Sequence, residues 1–249
     1  MTRQIRTELL KQRTTRTSIA GIAAAPVVAA LVTVAVYGAA GKQGNAPLGP
    51  DSFHQALGAP ASVITLIAVM LGVMGAAGEW RHQTITTTFL ATPRRRDVVV
   101  AKLLAHLATG AVMGVLSLAA SAAVAVPWLR SEGVAVVADA DVLSISAGVV
   151  VLTALYGALG VAVGALVRNL TAAAAAVLVW LLAVEGLVTE VFQRSEVVHW
   201  LPAAAGRALV GAADRTHGLS GPVAAAVFAA YVVFLAVLAT RLTVRRDVG

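Results

Sequence analysis

The stretch IAGIAAAPVVAALVTVAVYGAA, residues 19–40, carries no charge and holds only one hydroxyl amino acid and one tyrosine. Its length meets the roughly 20 apolar residues that a helix needs to cross about 30 Å of hydrocarbon. Five further runs of similar character follow, at 61–77, 98–126, 143–167, 171–192 and 222–242. Across the 249 residues, 59% are hydrophobic and only 12% charged, with a mean hydropathy of +0.84. Soluble domains run nearer 45–50% apolar and 25% charged. So much apolar surface requires lipid around it, and the expected fold is an all-α integral membrane protein with six transmembrane helices in a single domain, 1–249.

The basic residues sit at the ends of these runs and set the orientation. Fourteen of the 19 fall on one side: Arg3, Arg6, Lys11, Arg13, Arg16, Arg81, Arg94, Arg95, Arg96, Lys102, Arg168, Arg241, Arg245 and Arg246. The other side has Lys42, Arg130, Arg194, Arg207 and Arg215. Positive charge is retained in the cytoplasm, which places both termini there and makes the cell membrane the expected location. Tyr37, Trp128 and Trp200 then fall near the outer boundary, where amphipathic rings favour the headgroup region. A cleaved signal peptide ending near Gly38-Ala39-Ala40 is the competing reading, opposed by the long basic leader and by a run longer than a usual signal core. The net charge of +7 is thereby explained by topology; no basic patch is interleaved with aromatics, and nucleic acid is not an expected partner.

Several kinds of chemistry are excluded or disfavoured. The absence of cysteine removes disulfides, cysteine-ligated zinc and thiol catalysis. The five histidines are scattered and form no HExxH, so no metal or other cofactor is expected in this chain. No loop reaches much beyond 30 residues, short of the roughly 50 a separate catalytic domain needs. Gly218-Leu219-Ser220-Gly221 matches the GxSG of intramembrane serine proteases, but no histidine follows Ser220 to act as its base. A P-loop is missing as well, since Gly38-Ala39-Ala40-Gly41-Lys42 has the wrong spacing.

Three segments are candidates for function. In the leader, residues 2–18, Ile5 and Leu9 are four apart with Leu10 beside them, an apolar stripe opposite Arg3, Arg6 and Arg13 that suits a helix lying along the inner interface; a charged leader that only fixes topology is the alternative. The stretch 78–97 is too polar to span, and Pro93 breaks any helix through it. Its Ile85, Phe89 and Leu90 form a short apolar face between charged ends, suited either to docking a soluble partner or to a plain solvated loop. Glu185 is an ionisable residue inside the fifth run and a candidate for substrate passage or helix locking; alternatively it reaches water in an outer vestibule. Lys102 is expected to snorkel to the interface, His106 to be a packed or interface-facing polar residue, and Met70 and Met74 to serve packing. Gly110-x-x-x-Gly114 and Gly160-x-x-x-Gly164 permit close helix approach without showing which faces meet.

The run 78–102, with its Glu-x-Arg-His-x-Thr-Ile-Thr-Thr-Thr core, Thr-Pro-Arg-Arg-Arg and Ala101-Lys102, resembles the cytoplasmic segment of ABC-2-type transporter permeases. The leader Glu8-Leu9-Leu10-Lys11-Gln12-Arg13-Thr14-Thr15-Arg16 and the run Trp200-Leu201-Pro202-Ala203-Ala204-Ala205 resemble that family too, with Gln83 standing where glycine is expected. The resemblance implies an N-terminal interfacial helix, a cytoplasmic coupling helix after span two, and an external re-entrant hairpin, 192–221, before span six. It further implies that Glu79, Trp80, Arg81, His82, Thr86, Phe89, Pro93, Arg94 and Arg95 couple the chain to a dimer of ATP-binding subunits. ATP and Mg would be bound there and not in this chain, which is expected to be a transport subunit and not itself an enzyme. A second permease copy or paralogue would complete the transporter, an exporter on this reading. The alternative is a six-span membrane protein that needs no ATPase, such as a secondary transporter or an immunity-type binding protein.

Overall fold

The structure, a computed structural model, describes residues 1–42, 45–81, 95–192, 195–211 and 219–245. All regular elements among them are helical: α1 (Thr2–Thr14), α2 (Arg16–Ala39), α3 (Ser52–Gly58), α4 (Ala61–Arg81), α5 (Arg95–Ser131), α6 (Ala140–Val167), α7 (Leu170–Val191), α8 (Pro202–Leu209) and α9 (Gly221–Arg245). A 3₁₀ turn, Glu196–Trp200, precedes α8. Six of these, α2, α4, α5, α6, α7 and α9, are long and apolar enough to cross a membrane. That is the architecture of a multi-pass membrane protein.

Local chemistry defines the helix ends. Thr15 is extended between α1 and α2, so the leader turns away from the first span instead of prolonging it. Asp139 caps α6 by accepting from the Val142 N–H at 2.8 Å, and Asn169 caps α7 by accepting from the Ala172 N–H at 3.0 Å. Between them Arg168 adopts a left-handed φ of 58° and donates its N–H to Gly164 O at 3.0 Å. This closes α6 and starts α7 within two residues, forcing the two helices to run antiparallel.

Helix α6 occupies the centre, with α4, α5 and α9 packed around it. Lipid chains are as apolar as leucine, so helices associate through close packing, for which small residues are suited. Each glycine pair has one partner helix. A Cβ on Gly160 would collide with Val69 O of α4, and one on Gly164 would press on Val73 O. Gly110 and Gly114 of α5 meet α6 at Thr153 and Val150 in the same way. Around these contacts Val69, Val73, Met113, Val149, Val161 and Phe228 are almost wholly buried. Apolar side chains such as Leu31, Leu187 and Phe234 on α2, α7 and α9 face outward, as a lipid surround requires.

The segment before α9 turns back against the bundle. Leu209 O lies against Gly148, Val210 O against Gly58, and Gly206 against Leu152, which is about 18 Å along α6 at 1.5 Å per residue. Pro202, Ala205, Gly206 and Leu209 are buried, so this face of α8 is covered by protein.

Candidate functional site: a buried charge cluster at one end of the bundle

Residues 8, 11 and 12 fall on one face of α1, and residues 102, 106 and 109 on one face of α5, by the three-to-four-residue repeat of a helix. The fold sets these two faces together, with the last turn of α4 beside them. Lys102 Nζ donates to Glu8 Oε2 (2.9 Å), Glu79 Oε1 (2.7 Å) and Gly75 O (3.1 Å), using all three of its protons. Lys11 Nζ donates to Glu8 Oε1 at 2.7 Å and to the same Glu79 oxygen at 2.8 Å. Two ammonium groups and two carboxylates thus form a neutral square joining three helices. Next to it, His106 Nδ1 lies 3.0 Å from the Gln12 amide nitrogen and 2.9 Å from Lys102 O, and the Thr109 hydroxyl contacts Gln12 Oε1. The tautomer decides the role of Nδ1: protonated it donates to Lys102 O, and unprotonated it accepts from the Gln12 amide.

The cluster is largely out of water. The Lys102 and Glu8 side chains are 5% and 9% exposed, that of Glu79 13%, while Lys11 at 43% forms the wet edge. Burial opposes the charge on Glu8, but Lys102 and Lys11 outweigh it and hold its carboxyl below the ordinary value. Burial likewise opposes the Lys11 charge, and its bonds to Glu79 and Glu8 outweigh that, raising its value. A cleft of about 370 Å³ opens beside the square, between α1, α4 and α5.

One expectation about this region is corrected. Lys102 does not snorkel; carboxylates from α1 and α4 come to it, because a fully paired ammonium loses less than one stretched past a helix it is packed against. The leader docks on the bundle by its polar side, with Glu8 and Gln12 buried and Leu10 60% exposed. His106 is packed and buried.

The residues expected to couple to a partner divide. Gly78, Glu79, Trp80 and Arg81 are not loop: α4 continues through them. Glu79 turns inward to the square, while Arg81 is exposed. Trp80 packs under the Arg168 guanidinium, 4.7 Å from the ring centre, a cation–π contact tying α4 to the α6–α7 turn. Arg168 Nη2 also donates to Leu242 O of α9 at 3.2 Å. Arg95 begins α5. His82, Thr86, Phe89, Pro93 and Arg94 lie outside the described residues, as does the apolar face at Ile85, Phe89 and Leu90.

Glu185 lies apart from the square, on α7. It is 2% exposed, so the expectation that it reaches water in a vestibule is overturned. The π-helical turn Trp180–Val184 accommodates an extra residue just before it, which rotates the face on which Glu185 lies. There Oε1 accepts from the Ala203 N–H in the first turn of α8. Its Oε2 is buried with no hydrogen bond of ordinary length among the described residues, with the Ala204 N–H and the Trp180 indole close by. A carboxylate at a helix N-terminus answers both the free N–H groups and the helix dipole.

Sequence reading missed Glu8, Lys11, Gln12 and Thr109 as members of a site. A signal was present: a lysine inside an apolar run needs a carboxylate, and Glu8, Glu79, Asp97 and Asp247 are the acids on the same predicted side. Among the described residues no group of three or more His, Asp or Glu is placed to hold a metal. No protein-family model matches the chain, and no curated protein matches it.

Proposed function

We propose that this chain is the membrane-spanning permease subunit of an ATP-driven exporter, working with a separate pair of ATP-binding subunits and a second permease copy or paralogue. The observation that supports this best is the ion-pair square. Glu79 ends α4 and Lys102 lies near the start of α5, so their 2.7 Å contact clamps the base of the stretch 82–94. A push on that stretch would then move α4, α5 and α1 as one body. In this reading 82–94 contains the coupling helix, α1 lies along the inner membrane interface with Arg3, Arg6 and Arg13 toward headgroups, and the segment around α8 is an external re-entrant hairpin. Irregular backbone at membrane depth is tolerated when protein covers it, and the packing of α8 on Gly148 and Leu152 supports that assignment. Both termini are cytoplasmic and the location is the cell membrane.

The test is purification with a candidate P-loop ATPase, followed by hydrolysis and transport assays. Replacing Arg81, Arg94 and Arg95 together by alanine is expected to weaken ATPase binding. Glu79→Gln is expected to keep binding and to loosen the link between hydrolysis and transport. Equal co-purification and unchanged coupling in both variants would remove the segment from the mechanism. Orientation is read separately with single cysteines, since the chain has none of its own. Cysteines placed at 45 and 135 should react with an impermeant maleimide on intact cells, and those at 83 and 247 only after permeabilisation. The buried Glu185 favours one alternative, an ion-driven transporter without an ATPase; transport that persists in vesicles lacking ATP would establish it.

A further inference from the structure

At the end of α4 opposite the charge square, about 25 Å from Glu79 to Ser62 at 1.5 Å per residue, α4, α6, α7 and α8 enclose a second cleft of about 410 Å³. Its size is within the usual range for small-molecule sites. Leu66, Leu152, Leu181 and Leu182 supply an apolar wall. Leu182 is 66% exposed and Arg207 is exposed, so the cleft is open on that side. Two polar groups stand out against this wall. Tyr156 is 5% exposed, its ring is held against Phe228 at 4.8 Å, and its hydroxyl lies beside Gly206 with no hydrogen bond among the described residues. The ring is buried, but the hydroxyl opens into the cleft, where water or a ligand can accept from it. Arg207, one turn along α8 from Ala203, makes no ion pair within 4 Å among the described residues, although the Glu185 carboxyl is near enough to act on it electrostatically. The acid on the neighbouring helix, Glu185, is already bonded to the Ala203 N–H and does not line the cleft.

We propose that this cleft binds an anionic amphiphile: an acyl chain along the leucine wall, ending in an oxyanion headgroup that accepts from the Tyr156 hydroxyl and pairs with Arg207. A hydroxyl donor and a guanidinium without a close ion pair at the edge of an apolar slot favour an oxyanion over a neutral or cationic headgroup. A fatty-acid carboxylate and a phosphate-headed lipid share it. The site belongs to this chain alone, so it stands or falls separately from the permease assignment.

The test uses the full chain in phosphatidylcholine nanodiscs with a diazirine-bearing palmitate analogue as probe. Photo-crosslinks are expected to concentrate at Leu66, Leu152, Leu181 and Leu182. Oleate should displace the probe about ten times better than methyl oleate or oleylamine, because a hydrogen bond to a charged group is worth about that factor or more. Tyr156→Phe keeps the ring against Phe228 and removes only the hydroxyl; it and Arg207→Gln should each weaken oleate about tenfold, with the melting midpoint of Tyr156→Phe unchanged. Arg130→Gln, a basic residue on the same predicted side but outside the cleft, should have no effect. Phosphatidic acid competing as well as oleate would identify the lipid headgroup as the source; competition by oleate alone would identify the free acid. Equal displacement by oleate, its ester and oleylamine would overturn the proposal. So would crosslinks spread evenly over the outer faces of α2 and α9, or unchanged oleate affinity in both cleft variants.

Discussion

Glu8→Gln is the sharpest perturbation of the charge square. It removes one of two negative charges while keeping shape and most hydrogen-bonding capacity, leaving two ammonium groups to share Glu79. Breaking a buried ion pair by removing one partner costs about 3–5 kcal/mol. Here the loss is smaller, because Lys102 keeps Glu79 at 2.7 Å and Gly75 O at 3.1 Å, and Lys11 is exposed enough to be hydrated. About 2 kcal/mol is expected, or roughly thirtyfold in the equilibrium for lifting α1 off the bundle. Amide hydrogen exchange of α1 in detergent or nanodiscs reads this directly, with α6 amides as the unperturbed control. Lys102→Met alone should be at least as costly, since it leaves Glu8 and Glu79 facing each other with only Lys11 between them. The double variant leaves the neutral pair Lys11–Glu79 and should lose less than the sum of the two single changes. Exchange of α1 altered less than threefold by Glu8→Gln, or strict additivity in the double variant, would refute the square as the element that holds α1.

The docking of α1 should depend on pH in a defined sense. The Glu8 carboxyl is lowered in the folded chain, so its contribution is complete above the ordinary 4.5 and is lost as pH falls below that toward the lowered value; Lys11 is raised above 10.5, so its contribution fades only as pH climbs past that. Protection of α1 should therefore be flat through neutrality and fall at both extremes, and a change centred near pH 7 would contradict it. Gly160→Ala should cost more than about 2 kcal/mol in thermal or denaturant unfolding, because its Cβ meets the backbone of α4 and no side chain can yield. Gly78→Ala, with nothing within 4 Å, should be neutral or stabilise α4 by up to about 1 kcal/mol. Glu185→Ala should free the first turn of α8, raising exchange at Ala203 and Ala204, whereas Glu185→Gln retains an acceptor there and should have a smaller effect.

Composition and hydropathy alone determined that this chain is helical and able to span a bilayer six times, because the cost of unsatisfied backbone in lipid leaves helices as the solution for such runs. The run lengths placed every span to within several residues, the main error being α5, whose charged first turn at Arg95–Asp97 and last turn at Arg130 extend beyond its apolar stretch. The spacing of Gly110/Gly114 and Gly160/Gly164 was legible as well. That one pair serves α6 and the other α4 was not, since a small-residue stripe marks a contact without naming its partner. Polar residues were the least legible. Lys102, Glu185 and the leader each looked like a group needing water, and in isolation each would. Tertiary structure supplied what a single segment cannot: carboxylates from α1 and α4 for Lys102, and the open N-terminus of α8 for Glu185. A charge within or against a bilayer is tolerated according to its partners, and those lie 94 residues away for Lys102 and Glu8 and 18 residues away for Glu185 and Ala203.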